Sequence, residues 1–250
     1  MLSDGSLVIL DAGTGIRALG VSLDGCAPKR IDLLLTHLHL DHLEGLGFFE
    51  PLWEPSTELH VWGPPSPVRS LSDRIAMYLS PPLFPVHLSE IPAHLVFHDA
   101  PEGEWRIGPA RIASQRIIHS GPTIGYRIEE GGWTLAYLTD HEPALGSDLR
   151  TVPRDWVSGF AIAAKADVLI HDCQYTEQEY EERIGWGHSS TEQVAEFGSL
   201  AEVGKLVMFH HDPMHADDQL ESMLEHVRDL GDGVMEVQLA REGMELGPLQ

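Results

Sequence analysis

At 250 residues, 42% of them hydrophobic, the chain can bury a substantial core, and one domain spanning 1–250 is the simplest organisation. Aspartate and glutamate number 39 against 16 lysine and arginine, a formal charge of −23 that disfavours broad nonspecific binding to nucleic acid. The two cysteines, Cys26 and Cys173, are too few for a disulfide scaffold, and no apolar run suits a membrane-spanning helix or a secretory leader, so a soluble cytoplasmic protein is expected.

Leu7 to Leu10 reads as a strand ended by Asp11-Ala12-Gly13, and a short helix follows over Gly15 to Leu19, then a loop from Asp24 to Lys29. Ile31 to Leu35 is a buried strand running into Thr36-His37-Leu38-His39-Leu40-Asp41-His42. On extended backbone His37 and His39 face the same way, and Asp41 and His42 can turn back toward them. Imidazoles with a carboxylate suit a borderline divalent ion such as zinc. A helix is expected to begin at Leu43 and break near Pro51. Leu59 to Trp62 is a strand, Val68 to Leu79 has helical spacing, and Pro81 to Val86 must be an extended loop.

In the second half, strands are expected at 105–107, 110–115, 123–128 and 133–138, with Gly131-Gly132 turning a hairpin. Trp156 to Ala164 suggests a helix and Val168 to Ile170 a buried strand. Thr191 to Leu200 is a helix capped by Ser190 or Ser189, and Lys205 to Phe209 is a strand. Leu220, Met223, Leu224, Val227 and Leu230 form a last helical stripe before a closing strand over Val234 to Leu239. The pattern is that of an α/β protein. Three further candidate ligands, His119, Asp140 and His210, each stand where an apolar strand stops.

His37-x-His39-x-Asp41-His42 after a hydrophobic strand, with Asp11-Ala12-Gly13-Thr14-Gly15 before it and His119, Asp140 and His210 after it, resembles the signature of the metallo-beta-lactamase fold superfamily. Ile170-His171-Asp172-Cys173-Gln174 is similar to the His-Glu-Ala-Thr motif of the phosphodiesterase branch, which includes ribonuclease Z and the phosphoribosyl cyclic phosphodiesterases. Gly187-His188-Ser189-Ser190 is similar to that branch's Gly-His-Ser-Thr. The resemblance implies a four-layer αββα sandwich whose usual first strand is lacking or truncated, which would expose a sheet edge and motivates a homodimer.

The resemblance also implies two divalent metal ions, zinc first and manganese as the alternative. His37, His39 and His119 would hold one, Asp41, His42 and His210 the other, and Asp140 would bridge them. His211 competes with His210 for its place; His211, His141, Asp11 and His171 would otherwise support the ligands or touch substrate. His188 would stabilise or protonate the leaving side of a phosphodiester, oriented by Asp172, with Asp41 also in the catalytic set. The implied reaction is attack of a metal-bridging hydroxide on a small cyclic phosphate or nucleotide-like substrate, structured nucleic acid being disfavoured by the charge. The alternatives are hydrolysis of a thioester or beta-lactam, RNA-processing endonuclease activity, and a non-catalytic metal-binding protein.

Overall fold

A computed structural model describes residues 1–23, 25–231 and 233–247; Asp24, where the expected loop begins, Asp232 and the last three residues lie outside the described residues. The chain divides into two compact units, Met1–Pro101 with Arg106–Ala110, and Glu102–Trp105 with Arg111 onward.

The first unit contains β1 (Leu7–Leu10), α1 (Gly15–Leu23), β2 (Arg30–Leu34), β3 (Glu58–Gly63), α2 (Leu71–Ala76) and β4 (His94–Asp99). The four strands pair in parallel in the order β1-β2-β3-β4. Alternation sends Leu7, Ile9, Ile31, Leu33, Leu59 and Val61 into one core with Ile16 of α1 and Leu71 and Ile75 of α2. Asp32, on the opposite face, is fully buried and accepts from both Arg30 guanidinium nitrogens (2.9 and 3.0 Å) and from Trp62 Nε1 (2.9 Å), which satisfies the charge inside the sheet. Because β1 and β2 are parallel with Leu10 opposite Leu34, the segments after them leave the same edge.

Two helices expected here are shorter. In place of one from Leu43 to Glu50 the chain makes three 3-10 turns, Leu40–His42, Leu46–Phe48 and Glu50–Trp53. Gly45 donates to Ala12 O (2.9 Å) so closely that a Cβ would lie 2.0 Å from Gly13 O, and Pro51 prevents continuation. The expected helix from Val68 to Leu79 is confined to α2, whose start Ser70 caps by accepting from Asp73 N.

The second unit carries most of β5 (Gly103–Ile107) and β6 (Ala110–Arg116), whose residues 106–107 and 110 fall in the first unit, and all of β7 (Ile124–Glu130), β8 (Trp133–Leu138), α3 (Phe160–Ala163), β9 (Val168–Asp172), α4 (Glu177–Glu181), α5 (Thr191–Leu200), β10 (Lys205–Phe209), α6 (Asp217–Leu230) and β11 (Glu236–Leu239). Its sheet runs β11-β10-β9-β8-β7-β6-β5. β6, β7 and β8 are antiparallel, and β8, β9, β10 and β11 are parallel. Leu138, His171 and Met208 share a row, so the carboxyl ends of β8, β9 and β10 lie side by side. α5 and α6 cover this stretch with Val194, Phe197, Leu224 and Val227, packed with Leu169, Leu206 and Met208. The helix expected over Trp156 to Ala164 is split into a 3-10 turn, Arg154–Trp156, and α3 by left-handed Gly159 (φ +72°), where a Cβ would meet the His141 ring at 3.0 Å. Among the described residues no helix is long and apolar enough to cross a membrane.

Ser190, rather than Ser189, caps α5: its Oγ accepts from Gln193 N and its N–H donates to Gln193 Oε1, both at 3.2 Å. Ser190→Ala is expected to lower stability by about 1–2 kcal/mol. Equilibrium urea unfolding checks this, through a lower midpoint at unchanged slope.

Candidate metal centre

In the first unit one carboxylate organises the donors. Asp11, left-handed at φ 56° just past β1, accepts from Thr36 N (2.7 Å) and Thr36 Oγ1 (2.9 and 3.1 Å), and faces His42 Nδ1 at 2.9 Å. A carboxylate only accepts, so His42 Nδ1 carries the proton and its Nε2 presents an electron pair. The single hydroxyl proton of Thr36 goes to Asp11, so Thr36 Oγ1 accepts from His37 Nδ1–H at 3.0 Å, and His37 adopts the same tautomer. The three rings cluster, His37 lying 4.4 Å from His39 and 4.3 Å from His42 between centroids. His42 Nε2 points at Asp41 Oδ2, 3.2 Å away. Electron-pair donors held that close suit a cation between or beside them, and imidazole with carboxylate is a donor set for a borderline divalent ion.

The second unit repeats the device, with Asp140 and His210 just past the parallel strands β8 and β10 and His119 in the loop after β6. His119 Nδ1–H donates to the Gly187 carbonyl (2.8 Å), which leaves Nε2 aimed at Asp140 Oδ2, 3.6 Å away. His210 follows β10 in the left-handed region (φ 55°), and its Nε2 lies 3.4 Å from the same Asp140 oxygen. Asp140 is nearly fully buried and faces two imidazoles, one from the loop after β6 and one from the end of β10. This arrangement too fits a bound divalent cation.

Beside it, Asp172 and His188 form a close pair, Oδ2 to Nδ1 at 2.6 Å. Asp172 is fully buried at the end of β9 and also accepts from Ser189 N (2.9 Å) and Gln174 N (3.1 Å). Burial raises its carboxyl well above the usual carboxylate range, opposed by the neighbouring His210 and by those N–H groups. His188 stacks on His210, 5.1 Å between centroids and 6° between planes, and stands edge-on to His119 at 4.8 Å. Asp172, His188 and His210 each offer a donor atom within 4.8 Å of the others.

The supporting residues have distinct places. His141 donates Nδ1–H to His171 Nε2 (2.8 Å), and His171 donates Nδ1–H to the Asp172 carbonyl (2.7 Å). Both are fully buried, and burial takes His171 down to about 4 and His141 well below its usual value, so both are neutral props packed on Phe197. Asp11 orients imidazoles. His211 lies outside the donor groups found among the described residues, and burial lowers its pKa. Sequence reasoning missed Glu142, fully buried two residues after Asp140, and the orienting role of Thr36.

Residues 7–211 match the beta-lactamase superfamily domain. The chain belongs to this family. Ribonuclease Z of Mycobacterium sp. (strain KMS) is 26% identical over 236 residues, covering 86% of this chain and 77% of that one. The crystal structure of human tRNase Z, short form, superposes with a TM-score of 0.68 at 21% identity, over 100% of this chain and 91% of that chain. A diphosphatase from the PhnP family gives 0.67 at 18% identity, over 98% and 82%. The protein has the metallo-beta-lactamase α/β fold, groups with the superfamily's phosphodiesterase branch, and is a metal-dependent hydrolase.

Asp11→Asn replaces one accepting oxygen with a donor facing Thr36 or His42. In this hydrolase it is expected to weaken metal binding roughly 10–100-fold, the usual cost of losing a group that orients a ligand. Competition against a chromophoric chelator measures it.

Proposed function

We propose that the chain hydrolyses phosphodiester bonds in a small cyclic phosphate or nucleotide-like substrate, its two units serving as one functional domain. The observation that carries this reading is the Asp172–His188 pair at 2.6 Å, next to the imidazole and carboxylate donors at the ends of β8 and β10. A thioester or beta-lactam hydrolase has no need of a buried carboxylate that fixes a further imidazole beside its metal ligands. Family membership and the donor tautomers within each unit support two divalent ions, zinc first and manganese as the alternative. His37, His39 and His119 would hold one; Asp41, His42 and His210 would hold the other, with Asp140 between them. When bound, they supply an activated water and neutralise charge on the phosphoryl group.

The chain's own groups supply the rest. His188, with Nδ1–H on Asp172, turns Nε2 outward, where in the protonated ring it donates to a nonbridging phosphoryl oxygen or to the leaving oxygen. Asp172 fixes the ring and supports its positive charge. Asp41 is the exposed carboxylate of the set and is counted with the catalytic residues.

The substrate class follows from charge. A formal −23 repels a long polyanion, whereas a single phosphodiester bears one charge that local cations offset. The relatives named ribonuclease Z favour a second reading, an RNA 3′-processing endonuclease. A panel of a cyclic phosphodiester, an aryl phosphodiester, a precursor tRNA, a thioester and a beta-lactam separates these. The reading includes a cytoplasmic homodimer, which light scattering across a concentration series tests.

His188→Ala should retain both metals and lower kcat on the phosphodiesters about 10²–10⁴-fold. Asp172→Asn should lose less, and the double variant less than the product of the two losses, because the residues act as a unit. Near-wild-type turnover by metal-replete His188→Ala would remove the basis for a phosphodiesterase. For the neighbouring ligands, His210→Ala should lose one metal equivalent by elemental analysis and His211→Ala should keep both; the reverse would make His211 the ligand.

A further inference from the structure

Glu142 has no role in the mechanism above, yet it is a fully buried carboxylate with an unusual set of partners. Tyr180 OH donates to its Oε1 at 2.7 Å, and Gly185 N donates to both oxygens at 2.9 and 3.1 Å. Gly187 N donates to Oε2 at 2.8 Å. Both glycines have positive φ, +86° and +89°, and the intervening Trp186 side chain is turned out to solvent. Such a chain path aims alternate N–H groups at one point and makes an anion-binding concavity. Here the anion is the protein's own carboxylate.

Gly187 is bound from both sides. Its N–H goes to Glu142, and its carbonyl accepts the Nδ1–H of His119 at 2.8 Å. A side chain cannot replace the hydrogen there, since a Cβ would lie 2.5 Å from His119 Nδ1. Glu142 thus fixes the peptide before Gly187 through its N–H, and the position this gives the residue sets where its carbonyl, on the following peptide, meets His119. The Gly187–His188 peptide, whose carbonyl holds His119, leads directly into His188. The main-chain N–H of Glu142 also bonds Ile118 O at 3.0 Å, beside His119.

We infer that Glu142 is a positioning residue for the metal centre: through Gly187 it holds His119 in the Nδ1–H tautomer, with Nε2 free of a proton, and fixes the start of His188. Many metal-binding imidazoles donate directly to a carboxylate that raises their basicity. In this chain the carboxylate holds the residue whose carbonyl accepts from the imidazole. The inference rests on the reading that His119 is a metal ligand, but the tautomer itself can be observed without metal.

The test compares wild type, Glu142→Gln, Glu142→Asp and Tyr180→Phe. In metal-free protein, ¹⁵N imidazole shifts, assigned through loss of the signal in His119→Ala, should show His119 as the Nδ1–H form in wild type. Glu142→Gln turns an amide N–H2 toward one of the glycine donors, so His119 should become a tautomer mixture and zinc affinity should fall roughly 10–100-fold. Glu142→Asp withdraws the carboxylate by one methylene and should give the same change to a smaller degree, which keeps the test available if the glutamine variant does not fold. Tyr180→Phe removes a donor to Glu142 without touching Gly187; it should lower thermal stability while leaving the His119 tautomer unchanged. A His119 tautomer in the folded Glu142 variants identical to wild type would overturn the inference, whatever their melting temperatures. If instead His119→Ala binds zinc as tightly as wild type, the ligand assignment fails, and the tautomer shifts still decide the role of Glu142.

Discussion

A buried carboxylate that only accepts hydrogen bonds forces the imidazole next to it to donate, and the donor chemistry of this protein depends on that constraint. Asp11 sets the protons of His42 directly and of His37 through the Thr36 hydroxyl. Asp172 sets His188. In each case one ring nitrogen is consumed inside the protein and the other is presented as an electron pair, the form in which imidazole binds a metal or carries a proton. Each of these carboxylates is nearly or fully buried, where its full ionisation would be costly without donors. Main-chain N–H groups supply them: Thr36 for Asp11, and Ser189 and Gln174 for Asp172.

Strand direction decides where these groups gather. Parallel pairing of β1 with β2 brings Asp11 to the edge from which the His37–His42 segment leaves. Parallel pairing of β8, β9 and β10 does the same for Asp140, Asp172 and His210, and the register between Asp172 and Phe209 puts His210 one residue beyond. The hydrophobic alternation that builds each core thus also delivers polar residues to one end of each sheet.

Much of this was legible in the sequence, for a local reason. His37-x-His39-x-Asp41-His42 is contiguous after an apolar strand, so a strand period of two displays it, whereas His119, Asp140 and His210, each at the end of an apolar run, were singled out by the family resemblance. Glu142 was not legible, because its glycine partners lie 43 and 45 residues away and nothing in Asp140-His141-Glu142-Pro143 indicates which way the third side chain turns. β4 escaped because its apolar residues Leu95, Val96 and Phe97 are only three, flanked by His94 and His98, in a strand that is only half-buried, so the apolar signal is weak. The turns from Leu40 to Trp53 escaped because the close approach of Gly45 to Gly13 is a tertiary contact that overrides a good local helical pattern.

An anomalous-scattering map of zinc-loaded crystals bears most directly on the proposed centre. Two peaks are expected, one contacted by His37, His39 and His119 and the other by Asp41, His42 and His210, with Asp140 touching both and Nε2 as the contacting atom of His37, His42 and His119. A single isolated peak, a site formed by His87, His94 and His98, or coordination of His42 or His119 through Nδ1 would contradict it.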